Sequence, residues 1–309
     1  NKLKIKCGAI SPMNISGKNI NFDFFIPDPW SNENVQGNFS LKLINDSIKQ
    51  GVNDNSGRGL TFVNKVKLLI GLIINLTPIE LKKLFKFYKK IKNLSYRKAL
   101  FLDYLLFTLQ KCLTKKNKTQ FTSLFLNAGA HIQHHYLFNS KVIQKKINIE
   151  NPSWYIDNNL DPLGEALVFY NHILSTYQED GYKVILMTGL QQVPYEKINY
   201  YYRLSNYKKF FKFLGIKNKK ILPRMTRDFE VIFDNNVDRD KCIKKLYNIN
   251  DENGVKIFNE IEIRDKSIFS SLTYNKEIKK SKSFKLGKKE FILYDHVNFV
   301  ALKNGKHDK

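Results

Sequence analysis

The chain has 309 residues, 42% hydrophobic and 13% aromatic, which excludes a disordered polymer and fits one large domain or a large domain with an insertion. Its 52 Lys and Arg against 28 Asp and Glu give a net charge of +24, a field that disfavours cationic partners. It favours nucleic acid, anionic lipid, or a phosphorylated small-molecule or glycan substrate, while the lysine-rich excess equally fits a background of AT-rich coding sequence.

Residues 1–60 are expected to form the N-terminal part of an α/β core from short strands and loops. "KLKIKCGAI" alternates as a strand does, and "NFDFFIPDPW" is an aromatic strand broken by Pro27 and Pro29. Cys7, Cys112 and Cys242 fall in no CxxC or metal-finger spacing and read as reduced thiols of a cytoplasmic protein. The sequence begins at Asn1 rather than Met, as expected of a fragment with a longer parent.

Residues 61–118 are predicted as a basic helical cap insertion of about three amphipathic helices, with apolar residues recurring at three- and four-residue spacing. Thr77-Pro78 followed by Glu80 marks one helix start. From Lys65 to Lys118 there are 14 basic residues and two acidic ones, a net of +12. Such a run is a solvated helix face or a surface for an anionic partner. The longest apolar run, Val66 to Leu76, contains Lys67 and is too short to cross a bilayer, so no transmembrane segment is expected.

Residues 119–309 are predicted to hold the remainder of the α/β core. "FTSLFLNAG" reads as a strand, "HIQHHYLFNSKVIQKK" as the start of a helix, and "DPLGEALVFYNHILSTYQEDG" as a helix begun by Asp161-Pro162 and ended before Gly181. "YKVILMTG" has the continuous apolar character of a buried parallel strand. "NYYYRLSNYKKFFKFLGI" reads as a helix with a core-facing aromatic stripe. Strands follow at "FEVIFD", "GVKIFNEIEI" and "SIFSSLTY", with a helix at "DRDKCIKKLYNI". This rhythm predicts an α/β fold with a central, mostly parallel sheet and flanking helices.

Ligands of open α/β sheets gather beyond the carboxyl ends of strands. Two such ends stand out: "AHIQHH", and the stretch holding Thr188, Gln191, Gln192 and Glu196. On a helix, His131 shares a face with His134 and with His135, a spacing used by metal ligands, although hydrogen-bonding core imidazoles have the same pattern. Imidazoles suit a divalent metal such as Zn or Mn. Arg224 and Arg227 bracket Thr226 and either grip a phosphate or carboxylate or tie down a loop. His296 precedes the last strand, and His307 follows it in a glycine-containing turn. No P-loop, dinucleotide fingerprint, nucleophile elbow or zinc-protease helix is present in the sequence.

"AGAHIQHHYLF", with Gln133-His134, resembles the strand-end motif of the alkaline phosphatase superfamily, in particular its type I phosphodiesterase and nucleotide pyrophosphatase branch. The helix "DPLGEALVFYNHIL", the strand "VILMTGLQ" and the late histidine in "KNGKHD" are similar in order and position. The resemblance implies a two-metal phosphoric ester hydrolase, with His134 and His307 as metal ligands. Ala130 stands where the family carries a metal-binding Asp, and Gly189 and Leu190 stand where it carries an Asp-His pair. The implied ligand set is therefore rebuilt, with His131 or His135 as replacement, or partly lost, and the nucleophile lies upstream of Asn1. The alternative is a non-catalytic protein that binds a polyanion through the basic helical cap.

Overall fold

A computed structural model describes residues 5–13, 15–18, 20–53, 59–91, 94–189, 191–224 and 226–308. The chain is mixed α/β and divides into two compact units. Among the described residues, the first comprises those up to 197 together with 304–308, and the second those from 198 to 303.

In the first unit, β1 (Cys7–Ile10) pairs in parallel with β2 (Phe24–Ile26) on one side and β3 (Phe121–Leu124) on the other. The helices are α1 (Phe39–Asn53), α2 (Phe62–Asn75), α3 (Pro78–Lys90), α4 (Ser95–Asn117), α5 (Ala128–Tyr136), α6 (Lys141–Gln144) and α7 (Pro162–Glu179), with a 3-10 turn at Leu137–Asn139. The expected starts hold. Thr77 Oγ1 accepts from Glu80 N at 3.3 Å, and Asp161 Oδ1 accepts from Gly164 N at 2.9 Å with Pro162 next in line.

Helices α2 to α4 do not form a separate cap. Ile10, Phe24 and Ile26 of the sheet share one core with Leu41 and Ile44 of α1, Leu72 of α2, Leu84 of α3, and Leu105, Leu109 and Leu113 of α4. Each such side chain contributes roughly 1.5–3 kcal/mol when fully buried, so sheet and helices stabilise one another. Helix α1 was not foreseen, because Asn, Asp and Ser interrupt its apolar spacing. Asn38 caps it through Leu41 N at 3.2 Å. Helix α2 approaches α1 closely at Gly71, where a Cβ would fall 2.5 Å from Ile44 Cγ1 and 2.9 Å from Ser40 O.

The second unit is largely antiparallel. β5 (Lys220–Pro223), β6 (Asp228–Ile232), β9 (Ser267–Ser271) and β8 (Glu260–Arg264) form a sheet in the order β5-β6-β9-β8. A second sheet has the order β11-β10-β7, from β7 (Ile249–Asn250), β10 (Ser283–Leu286) and β11 (Lys289–Ile292). Helices α8 (Tyr207–Phe213) and α9 (Asn236–Tyr247) and a 3-10 turn at Leu293–His296 complete it. Phe210, Phe211, Phe229, Phe258 and Phe284 are fully buried in its core, the first two belonging to the aromatic stripe expected to face inward. A long β4 (Gln192–Leu204) pairs with β12 (Val297–His307).

Parallel pairing among the described strands is confined to β2-β1-β3, where a large parallel sheet was expected. The "YKVILMTG" segment is the main departure. Residues 182–189 form no strand, and Ile185, Leu186 and Met187 are 83%, 70% and 87% exposed. Apolar content alone does not make a strand; a neighbour must supply hydrogen-bond partners and a surface to pack on. "NYYYRL" likewise belongs to β4, and only Tyr207–Phe213 of that stretch is helical. Here the β preference of three consecutive tyrosines, Tyr200 to Tyr202, outweighs helix spacing.

Candidate functional site: a four-histidine patch

The three clustered histidines lie on α5, which leaves the carboxyl end of β3. Its first turn is fixed from below. Asp103 of α4 is 2% exposed and accepts from Asn127 N at 3.1 Å, Ala128 N at 2.9 Å and the Tyr170 hydroxyl at 2.8 Å. The Tyr170 oxygen in turn accepts from Gly129 N at 2.7 Å. A carboxylate at this end of a helix satisfies orphan amides and complements the helix dipole. Burial nevertheless pushes the Asp103 carboxyl up to about 6, against the lowering effect of its three donors, and pushes the Tyr170 hydroxyl up as well.

A second network positions the end of β12. The Asn151 amide donates to Asn139 Oδ1 and Asn304 Oδ1, both at 2.7 Å, and Asn304 donates back to Asn151 Oδ1 at 2.9 Å. All three side chains are buried and satisfy one another, so the strand end is held by polar contacts of defined geometry. One residue on, a Cβ at Gly305 would fall 2.5 Å from Gln133 O and 3.0 Å from Gln192 Oε1. Only glycine permits this approach of β12 to α5 without displacement. Gln192, at the start of β4, donates to Ala130 O at 3.2 Å. Its buried Oε1 has no hydrogen-bond partner among the described residues.

These supports bring the predicted histidines together. The rings of His134 and His307 lie 4.8 Å apart, edge to face, and those of His131 and His135 lie 4.7 Å apart. His134 and His135 are 6.3 Å apart, which makes the four rings one patch. His307 is the last residue of β12, with Gly305 in the strand, and not part of a turn as expected. His134 Nδ1 is 3.1 Å from Gly305 O. A carbonyl only accepts, so Nδ1 donates and Nε2 is the basic nitrogen of that ring.

A backbone acceptor on one ring nitrogen is the arrangement that orients metal-ligating imidazoles. Yet among the described residues no three His, Cys, Asp or Glu side chains are arranged to hold a metal ion. Ala130 and Gly189 offer no donor, and Leu190 lies outside the described residues. The patch as it stands therefore offers imidazoles, amide groups and a helix-borne backbone, and does not fit the two-metal set that the resemblance implies.

Of the remaining candidates, Thr188, Gln191 and Glu196 are exposed residues of the first unit, while Arg224, Arg227 and His296 belong to the second. Arg224 forms an ion pair with Glu230 across the β5–β6 hairpin. Arg227 stacks on Tyr201 at 4.4 Å, donates to Leu272 O at 3.5 Å, and lies 3.8 Å from Glu260. Lys303 sits over the same tyrosine ring at 5.3 Å; burial and the neighbouring Arg227 bring its amine down to about 8. His296 packs on Phe213 and Phe210, at 4.7 Å and 5.5 Å, as a core imidazole does.

Asp103, Tyr170, Gly305 and the asparagine triad carry the site and were not singled out in the sequence. One signal was present for Asp103: it shares a helix face with Leu100 and Phe107, and a lone acid on a core stripe requires buried donors. Asparagines in loops carry no such mark. No family model, curated protein or solved structure matches this chain.

Proposed function

We propose that the first unit is a divergent hydrolase domain of the alkaline phosphatase superfamily type, taking a phosphorylated or otherwise anionic substrate at the patch of His131, His134, His135 and His307. One observation carries the reading: the rings of His134 and His307, far apart in the chain, meet at 4.8 Å. The parallel β2-β1-β3 pairing, with α5 leaving β3, is consistent with that superfamily's strand-end site. Imidazoles hold anionic oxygens when protonated and accept protons when neutral. His134 is the general-base candidate through Nε2, with His307 beside it to bind the anion. A divalent metal such as Zn or Mn, were it to complete its shell with substrate oxygens, would polarise the ester.

The test is turnover of nitrophenyl phosphate mono- and diesters, with metal content measured on the same sample. The reading expects His134→Ala to lose roughly 10²-fold or more of turnover, in line with general acid–base contributions. Gly305→Ala, which forces β12 away from α5 while leaving all four imidazoles in the chain, should lose activity in parallel. Turnover unchanged in both variants, or absent from the parent with every divalent metal supplied, overturns it.

A further inference from the structure

Helix α2 has two apolar sides, and only one is used. Its inner side is fixed on α1 by Gly71 and Leu72 and by Asn75, which donates to Ser40 Oγ at 2.6 Å and accepts from Asn38 at 3.0 Å. Ser47 Oγ donates to Asn64 O at 2.8 Å farther up the helix. The orientation of α2 is therefore specified by polar contacts, and what faces outward does so by construction.

Outward lie Phe62, Val66, Leu69, Ile70, Ile73 and Ile74, each between 38% and 80% exposed. At ~100° per residue they fill a continuous arc of about 140°, with Lys65 at one border and Lys67 at the other. Soluble surfaces rarely leave so many large aliphatic side chains contiguous, and such a patch marks a contact. The next helix adds exposed Lys82, Lys83, Lys86, Lys89 and Lys90, and the segment from Lys65 to Lys118 carries a net +12.

We infer that the outer face of α2 docks the protein on an anionic lipid surface, its aliphatic side chains entering the headgroup boundary and the flanking lysines meeting lipid phosphates. Dimensions favour lying on the bilayer. Fourteen residues of helix span ~21 Å, short of the ~30 Å hydrocarbon core, and among the described residues no helix is long and apolar enough to cross a membrane. An apolar arc bordered by lysines is the pattern of interfacial helices, in which each basic residue near an anionic leaflet adds electrostatic attraction. Two other occupants fit less well. A second copy packed symmetrically would set the lysine borders against each other, and a nucleic acid offers nothing apolar to cover Leu69 and Ile73.

The experiment is co-sedimentation of the whole chain with vesicles of phosphatidylcholine alone or mixed with phosphatidylglycerol, alongside fluorescence of a Phe62→Trp variant. The expected result is partition at least about tenfold stronger on the anionic vesicles, weakened by salt, with a blue shift of the new indole. Leu69→Glu with Ile73→Glu should abolish partition while thermal unfolding stays within a few degrees, since both side chains already face solvent. Failure to bind, equal binding to neutral vesicles, or binding retained in the double variant overturns the proposal. So does a dimer in solution that the double variant dissociates while vesicles remain unbound.

Discussion

The two units solve opposite electrostatic problems. In the first, an acid is buried: Asp103 sits beneath the start of α5, surrounded by two backbone amides and a phenol. In the second, a base is half-buried: Lys303 shares a tyrosine face with Arg227, and the adjacent Asp228 accepts at Oδ1 from the Ser271 hydroxyl at 2.7 Å. Asp103 is surrounded by donors, which offset part of the burial cost of its charge, and its removal leaves those donors as orphans. Lys303 has a like charge as neighbour, so its charged form is a cost that the aromatic ring offsets in part. Support for an ordered helix and tolerance of a crowded cation are thus distinguishable by mutation.

The largest effect belongs to Asp103→Ala, which strands Asn127 N, Ala128 N and the Tyr170 hydroxyl in a buried place. A loss of about 3 kcal/mol is expected, read as faster hydrogen exchange across α5 and lower denaturant resistance. The parent should carry a pH signature here. The folded carboxyl, with its pKa near 6, holds its proton more tightly than the unfolded one. Stability is then greatest below pH ~4, falls as pH rises towards 6, and is level above it. The Ala variant should lack that slope.

Next comes Lys303→Met, for which the comparison predicts the opposite sign. Removing a crowded cation should raise stability by about 1–2 kcal/mol at pH 7, after the lost ring contact is subtracted. The folded amine titrates near 8, below its unfolded value, so the parent itself should gain stability as pH rises from 8 towards ~10. The Met variant would show no such rise, and the two melting curves should converge. A destabilised Met variant would mean that the ring contact outweighs the repulsion. Arg224→Ala is the smallest case. Its ion pair with Glu230 lies at the surface of a hairpin, and a change within about 1 kcal/mol is expected in thermal unfolding.

Where local chemistry decides an element, the sequence was informative. Thr77-Pro78 and Asp161-Pro162 begin helices as written, and the histidine run is helical because nothing in "AGAHIQHHY" breaks its period. The meeting of His134 with His307 was proposed from an element order, and the two rings are neighbours. What sequence did not disclose depends on distant partners. The division of the chain between Lys197 and Ile198 has no linker to mark it, because it falls inside β4. That placement differs from boundaries at 60 and 118, which followed a change in composition; helices α2 to α4 instead share their core with β1 and β2. The asparagine triad is equally silent, since Asn304 lies far along the chain from Asn139 and Asn151 and the three gain meaning only when buried together.

The bare quartet Val184 to Met187 has a consequence for handling. Four consecutive β-formers without a charge, proline or glycine among them, and without a ladder partner among the described residues, offer an open template to any similar segment. At high concentration such segments stack between molecules, so fibrillar precipitation seeded at this stretch is the expected failure of storage. A lysine or proline placed at Leu186 should delay it without reaching the core.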